Sequence, residues 1–294
     1  MTRGPSPDRS PGRALNATPG TLYVVATPIG NLGDLTVRGG EILRRVPVVA
    51  AEDTRETRKL TDHVGSAARL VSLHAHSAEQ RLDEVVNLLL GGADVALCTD
   101  AGTPAVSDPG PALVRRAREN GVPVIPVPGP SAVHAALSVT GWPADQYLFL
   151  GFAPRKGGER EAWLNRIRDS SVSVVCFEAP NRTADLVRDL AGVCGADRLA
   201  MFGREMTKRF EEYRVCPLGE LASALDGHEV RGEVTLVVAG VAPAEPAADR
   251  DRAAELARAL GRVGLERSRI AKVLAEIHGL TRNESYRMAI GEPE

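Results

Sequence analysis

Residues 94–132 read DVALCTDAGTPAVSDPGPALVRRARENGVPVIPVPGPSA. An apolar run over 94–98 gives way to a Gly- and Pro-bearing loop. A helical pattern follows over 108–120, then a second apolar run over 122–127 and another Gly/Pro loop. Two short apolar runs joined by a helical pattern mark parallel strands buried on both faces. Upstream the rhythm repeats, with runs at 22–26, 46–51 and 69–73 and helical patterns near 36–45, 55–64 and 77–90. The spacing predicts an α/β domain on a five-stranded parallel sheet. Helix starts are expected at Thr36, Thr54, the Ser77-x-x-Gln80 capping box, and Asp108 followed by Pro109.

Downstream, strands are expected at 147–152, 172–177, 199–204, 210–216 and 233–239, with helices at 158–169, 183–193 and 218–225. No helical pattern separates the strands at 199–204 and 210–216, so this second sheet is expected to be mixed. A linker with Pro243 and Pro246 leads to three short helical patterns, 250–262, 267–277 and 281–290. Gly264 and Gly279 break them, and Ser268 and Thr281 stand near two of their starts. The expected division is a disordered Pro/Gly/Ser-rich tail at 1–17, a first α/β domain at 18–135 with the cofactor loops, a second at 136–242, and a small helical RNA-binding-like module at 249–294.

Composition excludes several classes. Among 294 residues, 43 % are hydrophobic and 25 % charged, an ordinary globular balance. No apolar run approaches the roughly 20 residues that span a bilayer. The N-terminus lacks a continuous apolar core of a secretory signal. Cys98, Cys176, Cys194 and Cys216 form no CxxC pair and read as reduced thiols of a cytoplasmic protein. A net charge of −2 excludes a strongly basic nucleic-acid coat protein. It hides +2 over 1–17, −6 over 18–249 and +2 over 250–294, with +4 between 258 and 287. An acidic body with a basic end suits an enzyme that meets a polyanion, and equally a solvated helical surface.

The five loops expected to leave the first sheet on one rim carry more Gly, Pro and polar residues than tight connections need. They are Thr27–Asn31, Glu52–Arg55, His74–Ser77, Thr99–Pro104 and Pro128–Ala132. Ligands of open α/β sheets bind at such a rim. The chain has no G-x-G-x-x-G after its first strand and no phosphate-binding G-x-x-x-x-G-K-[ST]. Its glycines follow the fourth and fifth strands, beside Asp100 and Ser131. His74 and His76 lack a third ligand at metal spacing, so no metal is expected.

Eight stretches carry a family resemblance: LYVVATPIGNLGDLTVRG (22–39), AEDTR (51–55), TDAGTPAVSDPG (99–110), PGPSA (128–132), FAPRKG (152–157), FEAPNR (177–182), REMTK (204–208) and RGEVTLVVAG (231–240). In this order they resemble the tetrapyrrole-methylase-like fold of S-adenosylmethionine-dependent methyltransferases. TDAGTPAVSDPG is the most specific. It points to the branch that 2′-O-methylates a cytidine in the decoding centre of 16S rRNA, in the small ribosomal subunit. The resemblance also implies a homodimer. The chain departs from the family's pattern at Thr99, where Ser is usual.

The resemblance implies that Asp100, Gly102, Thr103, Pro104, Ser131 and Ala132 bind S-adenosylmethionine. Pro28 and Ile29 are expected against its methionine part or the substrate, and Phe177 where the second domain closes over it. Transfer to a ribose hydroxyl needs in-line alignment and removal of a proton. Glu178, Glu52, Asp53, Glu205 and Lys208 are the candidates for that work. Local readings stand beside these. Asp100 also reads as a turn carboxylate and Ser131 as a plain cap, with the resemblance favouring the cofactor role for both; Glu178 reads equally as a surface carboxylate at a strand end. Glu52, Asp53 and Arg55 read equally as a capping cluster around Thr54. Arg155, Lys156, Arg182, Arg204, Lys208 and Arg209 form an expected phosphate track. Aromatics at 4 % are too few for stacking along a single strand, so RNA is expected to be held mainly by backbone and shape. Two rivals share features with this reading: a small-molecule corrin or tetrapyrrole methyltransferase, and a non-catalytic ribosome assembly factor.

Overall fold

A computed structural model describes residues 18–73, 79–241 and 250–290. The tail at 1–17, the linker prolines, His74, His76 and the Ser77 capping position lie outside the described residues. The first sheet uses β1 (Leu22–Val25), β2 (Val48–Ala51), β3 (Arg69–Ser72), β4 (Val95–Cys98) and β5 (Val124–Val127), all parallel, in the order β3-β2-β4-β1-β5. Period-2 alternation sorts their side chains. Leu22, Val48, Val95 and Leu97 face α3 (Glu79–Leu90) and α4 (Pro111–Glu119), whereas Val25, Val49, Ala96 and Cys98 face α1 (Val37–Arg45) and α2 (Thr54–Val64). Neighbouring strands β1 and β4 therefore send their helices to opposite faces. This opens a crevice beyond their carboxyl ends.

Several boundaries differ from expectation for local reasons. Val46 ends α1, its N–H donating to Ile42 O, so β2 begins only after Pro47. The cap of α2 is Asp53, whose carboxylate accepts from Arg55 N–H at 2.8 Å, and Thr54 is the first helical residue. Asp108 is no cap either: α4 starts at Pro111 behind Gly110. A residue before proline is pushed out of the helical region, and both Asp108 and Gly110 precede one.

The second sheet is mixed, in the order β6-β7-β10-β8-β9. Strands β6 (Tyr147–Phe152) and β7 (Ser173–Glu178) are parallel; β8 (Leu199–Arg204), β9 (Glu212–Pro217) and β10 (Val234–Val238) pair antiparallel. One face is covered by α6 (Gly158–Arg168), α7 (Pro180–Cys194) and α8 (Leu218–Leu225) through Ile167, Leu186, Leu190 and Leu221. Helix α7 starts three residues earlier than expected, with Pro180 in its first turn. The other face, with Val175, Met201 and Val237, packs on Val133, Ala136 and Leu137 of α5 (Ala132–Ser138), the helix that follows β5. That apolar seam joins the two sheets and places the first sheet's crevice against the second sheet.

Helices α9 (Arg250–Arg262), α10 (Arg267–His278) and α11 (Arg282–Ile290) share a small core of Ala253, Ala257, Ile270, Leu274 and Leu280. Ser268 lies inside α10, whose cap position is Glu266. Thr281 does head α11: its hydroxyl accepts from Glu284 N–H while Glu284 Oε2 accepts from Thr281 N–H, a reciprocal capping box.

Candidate active site

Two first-sheet loops are zipped together beside the crevice. Thr27 N–H donates to Gly102 O at 2.8 Å, Gly102 N–H returns a bond to Thr27 O at 3.0 Å, and the buried Thr27 hydroxyl donates to Thr99 O at 3.0 Å. Gly102 adopts φ +80°, a left-handed conformation that costs other residues about 1–2 kcal/mol. Ala101, Gly102 and Thr103 all line the cleft. The cleft holds about 530 Å³, within the roughly 300–1,000 Å³ of small-molecule and cofactor sites.

Of the residues singled out in sequence, Ile29, Gly102, Thr103, Ser131, Ala132, Phe177, Glu178, Glu205 and Lys208 line this cleft. Pro28 and Pro104 are buried behind its wall, in neither case among its lining residues. Asp100, Glu52 and Asp53 meet beside it instead. Asp100 Oδ1 accepts from Asp53 N–H at 3.0 Å, and Glu52 Oε2 accepts from Asp100 N–H at 3.3 Å. The Arg55 guanidinium holds Asp53 down to about 2, whereas burial pushes Glu52 and Asp100 up, aided by their neighbours' negative charge. Asp53 is thus engaged as a cap, and Glu52 and Asp100 brace the loops after β2 and β4.

Glu178 is buried at 2 % exposure, not a surface carboxylate. Its Oε1 accepts from Ala179 N–H at 2.8 Å. Arg182 Nη2 stands 3.1 Å from Oε2 but directs its hydrogens at the Ala153 and Pro154 carbonyls, leaving Oε2 without a hydrogen bond. Oε2 is itself buried with the Arg182 charge beside it, so its spare acceptor capacity meets a ligand hydroxyl only when the side chain turns towards the cleft that Glu178 lines. Opposite the first sheet, Lys208 Nζ donates to Glu205 Oε1 at 2.8 Å and Glu233 Oε2 at 3.0 Å. Burial works against the lysine's charge, yet these contacts outweigh it and its pKa is raised; the same ion pair lowers Glu205. Ser131 caps α5, and its hydroxyl lies 3.0 Å from His134 Nδ1, whose Nε2 lies 3.0 Å from the Tyr147 hydroxyl.

Asp108 is the lining residue that sequence reading passed over as a helix cap. Burial pushes its carboxyl up to about 6, the charges of Glu52 and Asp100 add to this, and the Thr99 hydroxyl opposes it. The Asp-Pro-Gly-Pro run at 108–111 was the available signal that no helix begins there. Phe152 and Glu233 were likewise missed as lining residues. The expected phosphate track is partly spent internally. Arg182 braces the loop after β6, Arg204 pairs with Glu212 at 3.0 Å, and Lys208 is held by two carboxylates. Arg155, Lys156 and Arg209 are exposed with no ion-pair partner among the described residues.

Residues 21–222 match the family model of the tetrapyrrole (corrin/porphyrin) methylases. Among curated relatives, ribosomal RNA small subunit methyltransferase I of Micromonospora olivasterospora is 46 % identical, covering 93 % of this chain and 88 % of its own. The protein of the same name from Pseudomonas aeruginosa is 41 % identical over 92 % of this chain and 97 % of its own. Among solved structures, diphthine synthase aligns with TM-score 0.59 at 17 % identity, over 75 % of this chain and 90 % of that one. Uroporphyrin-III C-methyltransferase from Thermus thermophilus, complexed with S-adenosylhomocysteine, aligns with TM-score 0.56 at 19 % identity, over 75 % and 97 %. The rim of loops, the mixed second sheet and the cleft between them are accordingly those of a family: the chain belongs to the tetrapyrrole methylases and, within them, to the ribosomal RNA small subunit methyltransferase I group.

Proposed function

We propose that this chain transfers the methyl group of S-adenosylmethionine to the 2′-hydroxyl of a cytidine in 16S rRNA of the small ribosomal subunit. The observation that carries the reading is the cleft itself, which is walled by carboxylates whose one lysine is already paired. Such a wall suits a cationic sulfonium. Gly102, Thr103, Ser131 and Ala132 would hold the cofactor on the first-sheet side, with Ile29 and Phe177 as apolar contacts. When bound, that group supplies an electrophilic methyl carbon.

The chain's own work is alignment and proton handling. Glu178, turned so that Oε2 reaches the cleft, would hold the ribose hydroxyl and take its proton as the oxygen bonds the methyl carbon and that carbon's bond to sulfur breaks. Glu205 and Lys208, locked together, fix the opposite wall. Asp53 stays a cap, and Glu52 supports the rim through Asp100. Outside the cleft, α9–α11 with +4 over 258–287 act as an RNA arm. The resemblance further supports a cytoplasmic homodimer, which sedimentation of the purified protein tests. Among the described residues no helix is long and apolar enough to cross a membrane.

Labelled S-adenosylmethionine incubated with small subunits lacking the modification tests the whole reading. Label in the RNA supports it. Label only in an added tetrapyrrole favours the small-molecule rival, and tight subunit binding without label favours the assembly factor. Deleting 249–294 should leave cofactor affinity unchanged, weaken subunit binding and flatten its salt dependence. Equal salt slopes for both forms would reduce the module to a structural cap.

A further inference from the structure

The second sheet carries one irregularity, and it sits at the cleft. Along β6, Phe149 pairs with Val175, but the next registered pair is Phe152 with Phe177. Three residues on β6 thus span two on β7, a β-bulge at Leu150–Gly151. Gly151 absorbs it at φ +61°. In a regular strand Phe152 would share a face with Leu148 and Leu150, both packed into the helix-covered core. The extra residue turns Phe152 to the opposite face, beside Phe149 and Phe177. Its ring meets Phe177 edge-on at 5.6 Å, and Phe177 meets Phe149 at 4.9 Å. Phe152 nevertheless stays 59 % exposed while lining the cleft. A bulge that exposes a large aromatic ring instead of burying it serves something other than packing.

The chain beyond the ring is held firmly. Arg182 Nη2 donates to Ala153 O at 2.8 Å, and Arg160 Nη1 to Pro154 O at 2.8 Å. Immediately after this braced turn come Arg155 and Lys156, exposed and without an ion-pair partner among the described residues. A flat ring at the mouth of a cleft, followed within four residues by two free cations, matches the two parts of a nucleotide: a stackable base and a phosphate backbone.

We propose that Phe152 is the platform on which the acceptor nucleotide's base stacks when its ribose enters the cleft, with Arg155 and Lys156 receiving flanking phosphates. The proposal rests on the RNA-methylating reading and adds its recognition element. It also amends the expectation from aromatic content: one ring suffices for one displaced base, though not for tracking a strand.

The test uses the full chain with unmodified small subunits, and separately a short single-stranded RNA bearing one cytidine, beside the same RNA with an abasic site there. Phe152→Ala should lower kcat/KM for the subunit by roughly tenfold to a hundredfold, with S-adenosylmethionine affinity unchanged by calorimetry. Phe152→Tyr should restore it and Phe152→Leu, which keeps apolar bulk without a π face, should not. In F152W the cytidine RNA should quench fluorescence more than the abasic RNA, beyond the background from Trp142 and Trp163. Full activity in Phe152→Leu overturns the platform, as does weakened cofactor affinity in Phe152→Ala, which would make the ring a cofactor contact. If the wild type methylates no RNA but the base-dependent quench persists, the methyl-transfer reading falls and the platform stands. Equal quenching by both RNAs overturns the platform alone.

Discussion

Across the cleft, the loop from β4 to α4 and the loop from β8 to β9 face each other with the same backbone device and opposite electrostatics. Each holds two non-glycine residues at positive φ: Ala105 (70°) and Ser107 (64°) in one, Glu205 (50°) and Thr207 (67°) in the other. Among the described residues there are no other non-glycine residues of this kind. Strain of this sort persists where the surroundings over-determine it, and among the described residues it is confined to two loops whose Ser107 and Glu205 line the cleft. The first loop presents Asp108 without a cation, so burial raises its pKa. The second presents Glu205 already tied to Lys208, so its pKa is lowered. One wall keeps electrostatic capacity for a ligand, and the other has committed it to holding its own shape.

The sharpest way to break that contrast is to remove the free acceptor between the walls. Glu178→Gln should lower kcat by about 10²-fold or more while cofactor affinity moves little, in single-turnover assays against calorimetry. An unchanged kcat would move the proton-accepting role off Glu178. Next in size, Gly102→Val places a branched side chain at φ +80° with its Cβ against Ile29 of the cleft lining, and should weaken S-adenosylmethionine binding by roughly tenfold or more. Asp100→Ala should act in the same direction but less, since Asp100 braces Asp53 N–H from outside the lining. Wild-type affinity in folded Gly102→Val would remove this loop from the site.

The electrostatic contrast has opposite signs in pH. Asp108 keeps its proton up to about 6 when folded, above its unfolded value of 3.8. Its contribution to stability is therefore present below about pH 4 and lost as pH rises through about 6. Asp108→Asn should stabilise the protein at pH 8 by about 1 kcal/mol, discounted for the half of the group that water screens, and change little at pH 4. For Glu205 the folded pKa is depressed, so its contribution is present above the unfolded value and lost as pH falls through the folded one. Glu205→Gln should destabilise at pH 7 by about 1 kcal/mol, with that loss shrinking in acid. Thermal melts of both variants at pH 4, 7 and 8 check the pair, and parallel shifts would erase the distinction between the walls.

The smallest effects concern the shared backbone device. Thr207 is β-branched at positive φ, and its buried Oγ1 has no hydrogen-bond partner. Thr207→Gly should raise stability by about 1 kcal/mol, whereas at Ala105 the relief is mostly cancelled by the greater chain entropy of an unfolded glycine. Equal shifts in melting temperature for the two substitutions would show that the β-branch and the orphan hydroxyl contribute nothing.

What the sequence determined by itself was everything that depends on short-range periodicity. Apolar runs separated by helical patterns decided five parallel strands, and the missing helix between 204 and 212 decided the mixed second sheet. Thr281 marked the start of α11, because a cap is a local feature; the structure adds its reciprocal bond with Glu284. The Gly- and Pro-bearing loops after β1, β4 and β5 marked the rim, and Gly30 and Gly102 there take a positive φ that a side chain disfavours. Tertiary structure alone decided how those loops were used. Which carboxylate kept a free oxygen depended on Arg182 turning to carbonyls 28 and 29 residues away in sequence, so Glu178 stayed available while Asp53 became a cap. Which cations could meet phosphate depended on which had found acids in folding, as Arg204 and Lys208 did. Phe152's face depended on one extra residue in the pairing of β6 with β7. Burial, ion pairing and strand register are properties of two partners distant in the chain, and no local pattern records them.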